Sequence, residues 1–245
     1  MRKNNTKTPH SLAGFLHSYL MLNWQDALAV LGIQLAIGLA ALGIQAAVVL
    51  FSKNPNNANV DVAGIVALFA GALVTFILAV AQFGINYTLA TAFGAPRRRA
   101  VAAGWLFGLG LGALSLLISL LVGGLWQVLL RAPRPFPLFG YIPWWGWLSL
   151  VLVPVAAAVF IDGVCRMFGA RGGAAIWLLF LVLCWAPQFL ENTPLEINMA
   201  MLFAAAPALL LGGGVVFGAA GSALLLCAPA SGDSNGNTLG RALGV

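Results

Sequence analysis

The sequence predicts an all-α membrane protein: six transmembrane helices preceded by an amphipathic interfacial helix. Three observations predict it. Of the 245 residues, 61% are hydrophobic and only 7% charged, whereas a soluble domain carries about 25% charge. So few charges cannot cover a water-facing surface, and lipid becomes the main solvent. Six apolar stretches reach or approach the about 20 residues needed to cross a hydrocarbon core. The basic residues, which give a formal net charge of +6, gather in alternate loops between those stretches.

The chain divides into a cytoplasmic N-terminus with a connecting helix (1–25), a six-helix domain (26–230) and a flexible cytoplasmic tail (231–245). In the first segment Leu12, Phe15, Leu16, Tyr19 and Leu20 recur at helical spacing, with Ser11, Gly14, His17 and Ser18 opposite. This i, i+3, i+4, i+7 pattern predicts an amphipathic helix. Ser11 is its candidate cap. It is expected to lie on the inner leaflet and to turn into the first span near Asn23.

The spans follow at 26–51, 62–91, 101–130, 146–168, 172–190 and 201–228. The first is too long for a signal-peptide core, so it reads as a retained helix. The fifth is the shortest and carries Pro187 near its end. A re-entrant fifth segment is the structural alternative. Pro154 and Pro207 fall inside the fourth and sixth spans, where the missing N–H favours a kink. The outer loops are short. Residues 52–61 are Asn-rich, 131–143 hold four prolines, and 187–200 carry Glu191 and Glu196. The tail is rich in Gly, Ser and Asn.

Orientation comes from Lys and Arg. With an inner N-terminus, Arg2, Lys3, Lys7, Arg97, Arg98, Arg99, Arg166, Arg171 and Arg241 fall inside. Only Lys53, Arg131 and Arg134 fall outside. All eight tryptophans lie near expected helix ends, Trp24, Trp105 and Trp177 inside and Trp126, Trp144, Trp145, Trp147 and Trp185 outside. That placement suits an interfacial aromatic belt.

Several chemistries are argued against. There is no GxxxxGK[ST], no HExxH and no GxSxG, and only two histidines, His10 and His17. The spans hold essentially one ionisable site, Asp162, with Arg166 four residues on as its natural ion-pair partner; a gate or a partner contact is the functional alternative. Proton relays use several such groups. Cys165, Cys184 and Cys227 show no disulfide or zinc spacing and read as small packing residues. A basic face with interleaved aromatics is missing, so no nucleic-acid partner is expected. No catalytic site, metal or cofactor is expected in this chain.

Three features remain. Gly104, Gly108 and Gly112 set a GxxxGxxxG spacing on the third span, and Gly214, Gly218 and Ser222 repeat it on the sixth. Small residues four apart let helices approach closely, within the chain, at a dimer interface or along a closed substrate path. On the second span Gln82 and Asn86 share a face, with Thr75 two turns earlier. In lipid such groups are costly, so they bond to other helices or line a pathway. Lastly, Phe93-Gly94-Ala95-Pro96-Arg97-Arg98-Arg99 joins the second and third spans. Its three arginines satisfy the positive-inside rule without a further role.

This last segment, with Ala92 before it, resembles the loop of export-type permeases of the ATP-binding-cassette (ABC) transporter family. The resemblance implies six spans, cytoplasmic ends, a connecting helix before the first span and an outer element between the fifth and sixth, here 187–200. It implies a short coupling helix that docks on a separate ATPase subunit, with Gly94 breaking the preceding helix and Pro96 opening the next. ATP and magnesium would belong to that partner. A second permease, alike or different, would complete the path in a bacterial plasma membrane. Other readings are a non-transporting assembly subunit, a channel or secondary carrier, and a membrane-embedded enzyme. Few charges in the spans favour an amphipathic substrate over an ion.

Overall fold

The computed structural model describes residues 12–51, 61–130, 142–191 and 205–228, and every long element in them is helical. Helix α1 is Leu12–Phe51, α2 is Val62–Ala92, α3 is Arg97–Leu130, α4 is Trp144–Phe168, α5 is Ala170–Glu191 and α6 is Ala205–Cys227. Five of them (α1, α2, α3, α4 and α6) are long and apolar enough to cross a membrane, while α5 adds a shorter apolar stretch, Ala170–Val182. The segments around Lys53, Arg131 and Arg134, the expected outer element beyond Glu191, the first eleven residues and the tail lie outside the described residues.

The helices follow the apolar runs, with two differences: five of them, not six, are long and apolar enough to span, and the first takes in the expected interfacial segment. The interfacial helix is not a separate element. Helix α1 continues unbroken through Asn23 for 40 residues, about 60 Å at 1.5 Å per residue and twice the about 30 Å of a hydrocarbon core. Part of the face expected to meet lipid instead packs on helices, although Leu20 on it is 50% exposed. Tyr19 is buried with Leu78, Ala103 and Phe107, and Phe15 packs against that cluster. Asn23, a weak helix former, stays in the helix because its amide donates to the Tyr19 carbonyl at 2.8 Å.

Helices α1, α2 and α3 pack mutually. Helix α4 joins them through α2 and α3, α6 packs along α4, and α5 leans mainly on α4. The turns fix this order. Gly94 (φ 83°) and Gly169 (φ 59°) take left-handed conformations that favour glycine, so α2 reverses tightly into α3 and α4 into α5. Arg97, Arg98, Arg99, Arg166 and Arg171 thereby come to one end of the bundle, called here the arginine end. Asp61 and Pro143 mark the opposite end.

The two π-turns among the described residues have local causes or partners. In α6 the π-turn Ala208–Gly212 follows directly on Pro207, which cannot donate to the ladder and crowds the preceding carbonyl. In α2 it spans Gln82–Asn86. Helix α4 passes through Pro154 without interruption.

The α4–α6 contact is a backbone crossing. A Cβ on Gly221 would lie 2.5 Å from Phe160 N and 2.6 Å from Phe160 Cα. On Gly163 it would lie 2.8 Å from the Gly221 carbonyl oxygen. The expected GxxxG glycines pack inside the chain as well. Gly104 faces the Phe83 ring, Gly108 faces Val155, Gly112 faces Val151, Gly214 faces Leu152 and Gly218 faces Trp105. Ser222 accepts a hydrogen bond from the Trp105 indole at 2.9 Å. Trp126 departs from the aromatic belt: it is fully buried with Leu42, Ala63, Ala67 and Val122.

Candidate functional site

The densest polar chemistry among the described residues surrounds the π-turn of α2. Widening one turn sends the Tyr87 N–H to the Gln82 carbonyl and takes it from Phe83, its ordinary α-helical acceptor. Such turns recur at functional sites. Two sets of partners hold this one in place, on opposite sides of the helix.

The first set is amide and hydroxyl. Tyr19 donates its hydroxyl to Gln82 Oε1 at 2.8 Å. Gln82 Nε2 donates to Asn23 Oδ1 at 3.0 Å. Asn86 Nδ2 donates to Asn23 Oδ1 at 2.5 Å and to Gln82 Oε1 at 2.8 Å. Gln82 and Asn23 are buried. The face inferred from Gln82 and Asn86 therefore exists, and its partners are on α1. Tyr19 was legible only as part of an amphipathic pattern, and Asn23 only as the expected turn into the first span.

The second set centres on Arg166 of α4. Its Nη2 donates to the Phe83 carbonyl at 3.0 Å, the Gly84 carbonyl at 2.5 Å and Thr88 Oγ1 at 2.7 Å. Its Nε pairs with Asp162 at 2.6 Å. Its guanidinium carbon lies 4.9 Å from the centre of the Tyr87 ring. The expected Asp162–Arg166 pair is thus present. Its larger consequence is that Arg166 fills carbonyls at the widened turn and ties α2 to α4.

Tyr87 carries the connection on to α6 by donating its hydroxyl to the Leu225 carbonyl at 2.8 Å. Arg97 completes that cap, donating Nη1 to Leu226 at 3.1 Å and to Ala228 at 2.5 Å. The last carbonyls of a helix have no partner within it, so these contacts close the end of α6.

The turn Phe93–Arg99 divides into inward and outward parts. Arg97 is spent on α6. Phe93 is 87% exposed, and Gly94, Pro96 and Arg98 are exposed beside it. Ala95 is half-buried, its N–H bonded to the Ala90 carbonyl at 2.9 Å. Pro96 precedes the first residue of α3, and its carbonyl accepts the Arg99 and Ala100 N–H groups. No separate coupling helix stands between α2 and α3: the arginines are the first turn of α3 itself. A cleft of about 690 Å³ opens beside the turn, lined by Phe15, Ser18, Leu22, Leu89, Phe93 and Arg99 among others.

Two further polar groups lie deeper. Gln34, fully buried, has Nε2 within reach of the carbonyls of Ala67 (3.2 Å) and Ser115 (2.9 Å) and of Ser119 Oγ (3.2 Å). Its Oε1 and Thr75 Oγ1 have no partner among the described residues. Gln34 escaped the sequence reading because one amide in an apolar run carries no periodicity.

At the opposite end Asp61 caps α2, accepting the Gly64 N–H at 2.6 Å, while Gln45 accepts the Ala63 N–H at 3.1 Å. Asp61 is 1% exposed, and burial pushes its carboxyl above the usual carboxylate range, opposed in part by the Gly64 bond. A carboxyl raised in the folded state stabilises the fold while protonated, and that stability is lost as pH rises through the folded value. The thermal midpoint of the wild type should therefore rise as pH is lowered from about 7 to about 4. Asp61→Asn keeps a good cap and carries no charge to desolvate, so its midpoint should lack that rise. A variant that follows the wild-type pH profile would place the dependence elsewhere.

The structure thus joins Gln82, Asn86, Asp162 and Arg97 into one connected region at the arginine end. Phe93, Gly94, Ala95, Pro96, Arg98 and Arg99 form its rim. Gly104 touches it through Phe83, while Gly108 and Gly112 lie further along α3 as packing contacts. Comparison with known proteins gives no match: no family model, no curated protein and no solved structure matches this chain.

Proposed function

We propose that this chain is the membrane-spanning permease subunit of an ATP-driven exporter of the ABC type, inserted in a bacterial plasma membrane with six spans and both termini in the cytoplasm. The observation that carries the reading is the build of the Phe93–Arg99 turn. It projects an exposed aromatic and an exposed arginine, while Arg97 behind them is bonded to the end of α6. Force applied at the turn passes to α6 through Arg97 and Tyr87, and to α4 through the π-turn and Arg166. A permease driven by a separate ATPase needs such a rigid relay.

Orientation follows from charge. The five described arginines at positions 97, 98, 99, 166 and 171 share one end, which the positive-inside rule assigns to the cytoplasm. The chain supplies no bond chemistry. ATP and magnesium bind on the ATPase subunits, and a second permease, identical or related, completes the substrate path. The substrate class the spans favour is amphipathic, because the buried polar groups are few and mostly hydrogen-bonded within the bundle.

That same pairing favours a second reading, an assembly subunit that carries no substrate. Tyr19, Asn23, Gln82 and Asn86 are committed to one another, which leaves little polar lining within one chain.

The test is purification of the chain from its native membrane in mild detergent, with co-purifying subunits identified. The permease reading expects a stoichiometric soluble subunit carrying a P-loop, lost in the double variant Phe93→Ser, Arg98→Ala but retained in Arg171→Ala. A chain that purifies alone, or only with other membrane proteins, would favour the assembly reading.

A further inference from the structure

We propose that the cleft between the first turns of α1 and the α2–α3 turn binds one acidic phospholipid, its phosphate held at Arg99 and its acyl chain lying along Leu22 and Leu89. The inference rests on the membrane-spanning reading above.

Depth is the first argument. Asp26 of α1 is exposed, and an exposed carboxylate is not stable in hydrocarbon, so the bilayer boundary lies at Asp26 or beyond it toward Phe51. Yet Leu22 and Leu89, which line the cleft, are 71% and 45% exposed, and Leu22 stands on the far side of Asp26 from the spans. Large apolar side chains at headgroup level need acyl chains or another apolar cover.

Charge is the second. Arg99 lines the cleft, and none of the described lining residues is acidic. Arg98 is exposed on the same helical turn. The 34-residue α3 begins here, so its dipole adds a positive end to the arginines. A phosphate with one or two apolar tails meets both demands: an anion for the arginine side, hydrocarbon for the leucines.

Shape is the third. The cleft holds about 690 Å³ and is open to the surface. Ser18 sits at its edge, exposed, with its hydroxyl donated to the Gly14 carbonyl at 3.1 Å. The hydroxyl oxygen can accept from a headgroup without disturbing α1.

The experiment is native mass spectrometry of the delipidated chain titrated with phosphatidylglycerol or phosphatidylcholine. The wild type is expected to retain one phosphatidylglycerol per chain about fivefold more tightly than phosphatidylcholine, in line with one arginine near a lipid phosphate. Arg99→Gln should erase the preference and Arg99→Lys should keep most of it. Ser18→Glu leaves every arginine contact in place and should also erase it by repulsion. Glycerol 3-phosphate, which lacks the tails, should not displace the lipid. Equal retention of the two lipids by the wild type would overturn the proposal. So would an equal loss in Arg171→Gln, which lies at the same end but outside the cleft. A soluble subunit protecting the cleft in place of lipid would overturn it as well. Resistance of the chain to carbonate extraction tests membrane insertion separately, so failure of the lipid site and failure of the spanning reading are distinguishable.

Discussion

Replacing Arg166 by alanine is expected to lower the stability of the detergent-solubilised chain by about 3 kcal/mol, the low end for breaking a buried ion pair. The low end applies because the two side chains keep 21% and 12% of their surface. The loss has two parts. Asp162 is left as a charge without its partner, and the Phe83 and Gly84 carbonyls at the π-turn lose the guanidinium donor. The double change Arg166→Leu, Asp162→Leu should recover the first part and not the second. Arg166→Lys should fall between, since a single ammonium cannot reproduce the fork that serves Asp162 and α2 together. The measurement is the thermal midpoint in mild detergent, with Arg171→Ala as the exposed control. A midpoint for Arg166→Ala equal to that control would mean the π-turn stands without this arginine.

A second large effect is expected at the α4–α6 crossing. Gly221→Ala places a methyl group within 2.7 Å of three backbone atoms of Val159 and Phe160. Backbone cannot move aside as a rotamer can, so the helices must separate. Overpacking of this kind costs about 1–3 kcal/mol, and Gly221→Val should exceed that range. The contrast is Gly110→Ala on α3, where nothing lies within 4 Å of the new Cβ. There the helix gains about 1 kcal/mol of intrinsic propensity without a clash. Opposite signs for the two substitutions in thermal melts would establish the crossing. Equal effects would show that α4 and α6 do not approach as described.

Much of the helical frame was legible in the sequence because its cause is local. A run of about 20 apolar residues has few alternatives once water is excluded, and the helix boundaries at Phe51, Val62, Leu130 and Phe168 fall where the runs end. Gln82 and Asn86 were legible as a face for the same reason. Gly104, Gly108 and Gly112 were legible as contact points, although spacing alone left open whether the contact lay within the chain.

What stayed hidden depends on who packs against whom. The pattern Phe15, Leu16, Tyr19, Leu20 marks an apolar face but is silent on its neighbour. Lipid and a helix satisfy it equally, and here Tyr19 and Asn23 find Gln82. Arg97 looked like its neighbours Arg98 and Arg99 in a topological signal, and only the position of α6 singles it out. Trp126 was assigned to the belt by its distance from a helix end, yet Leu42 and Val122 enclose it. The π-turn of α2 has no proline to announce it, and its partners Arg166 and Asn23 come from two other helices. These are tertiary facts, and a single sequence carries no trace of them.

The most direct test of the central claim, that the Phe93–Arg99 turn receives a driving ATPase, is photo-crosslinking in the native membrane from a photoactivatable phenylalanine at position 93. The account predicts one principal adduct, a soluble subunit bearing a P-loop, and no such adduct when the probe stands at Leu129 near the opposite end. Adducts to lipid alone, or to a second copy of this chain, would contradict it and leave the turn as a topological signal.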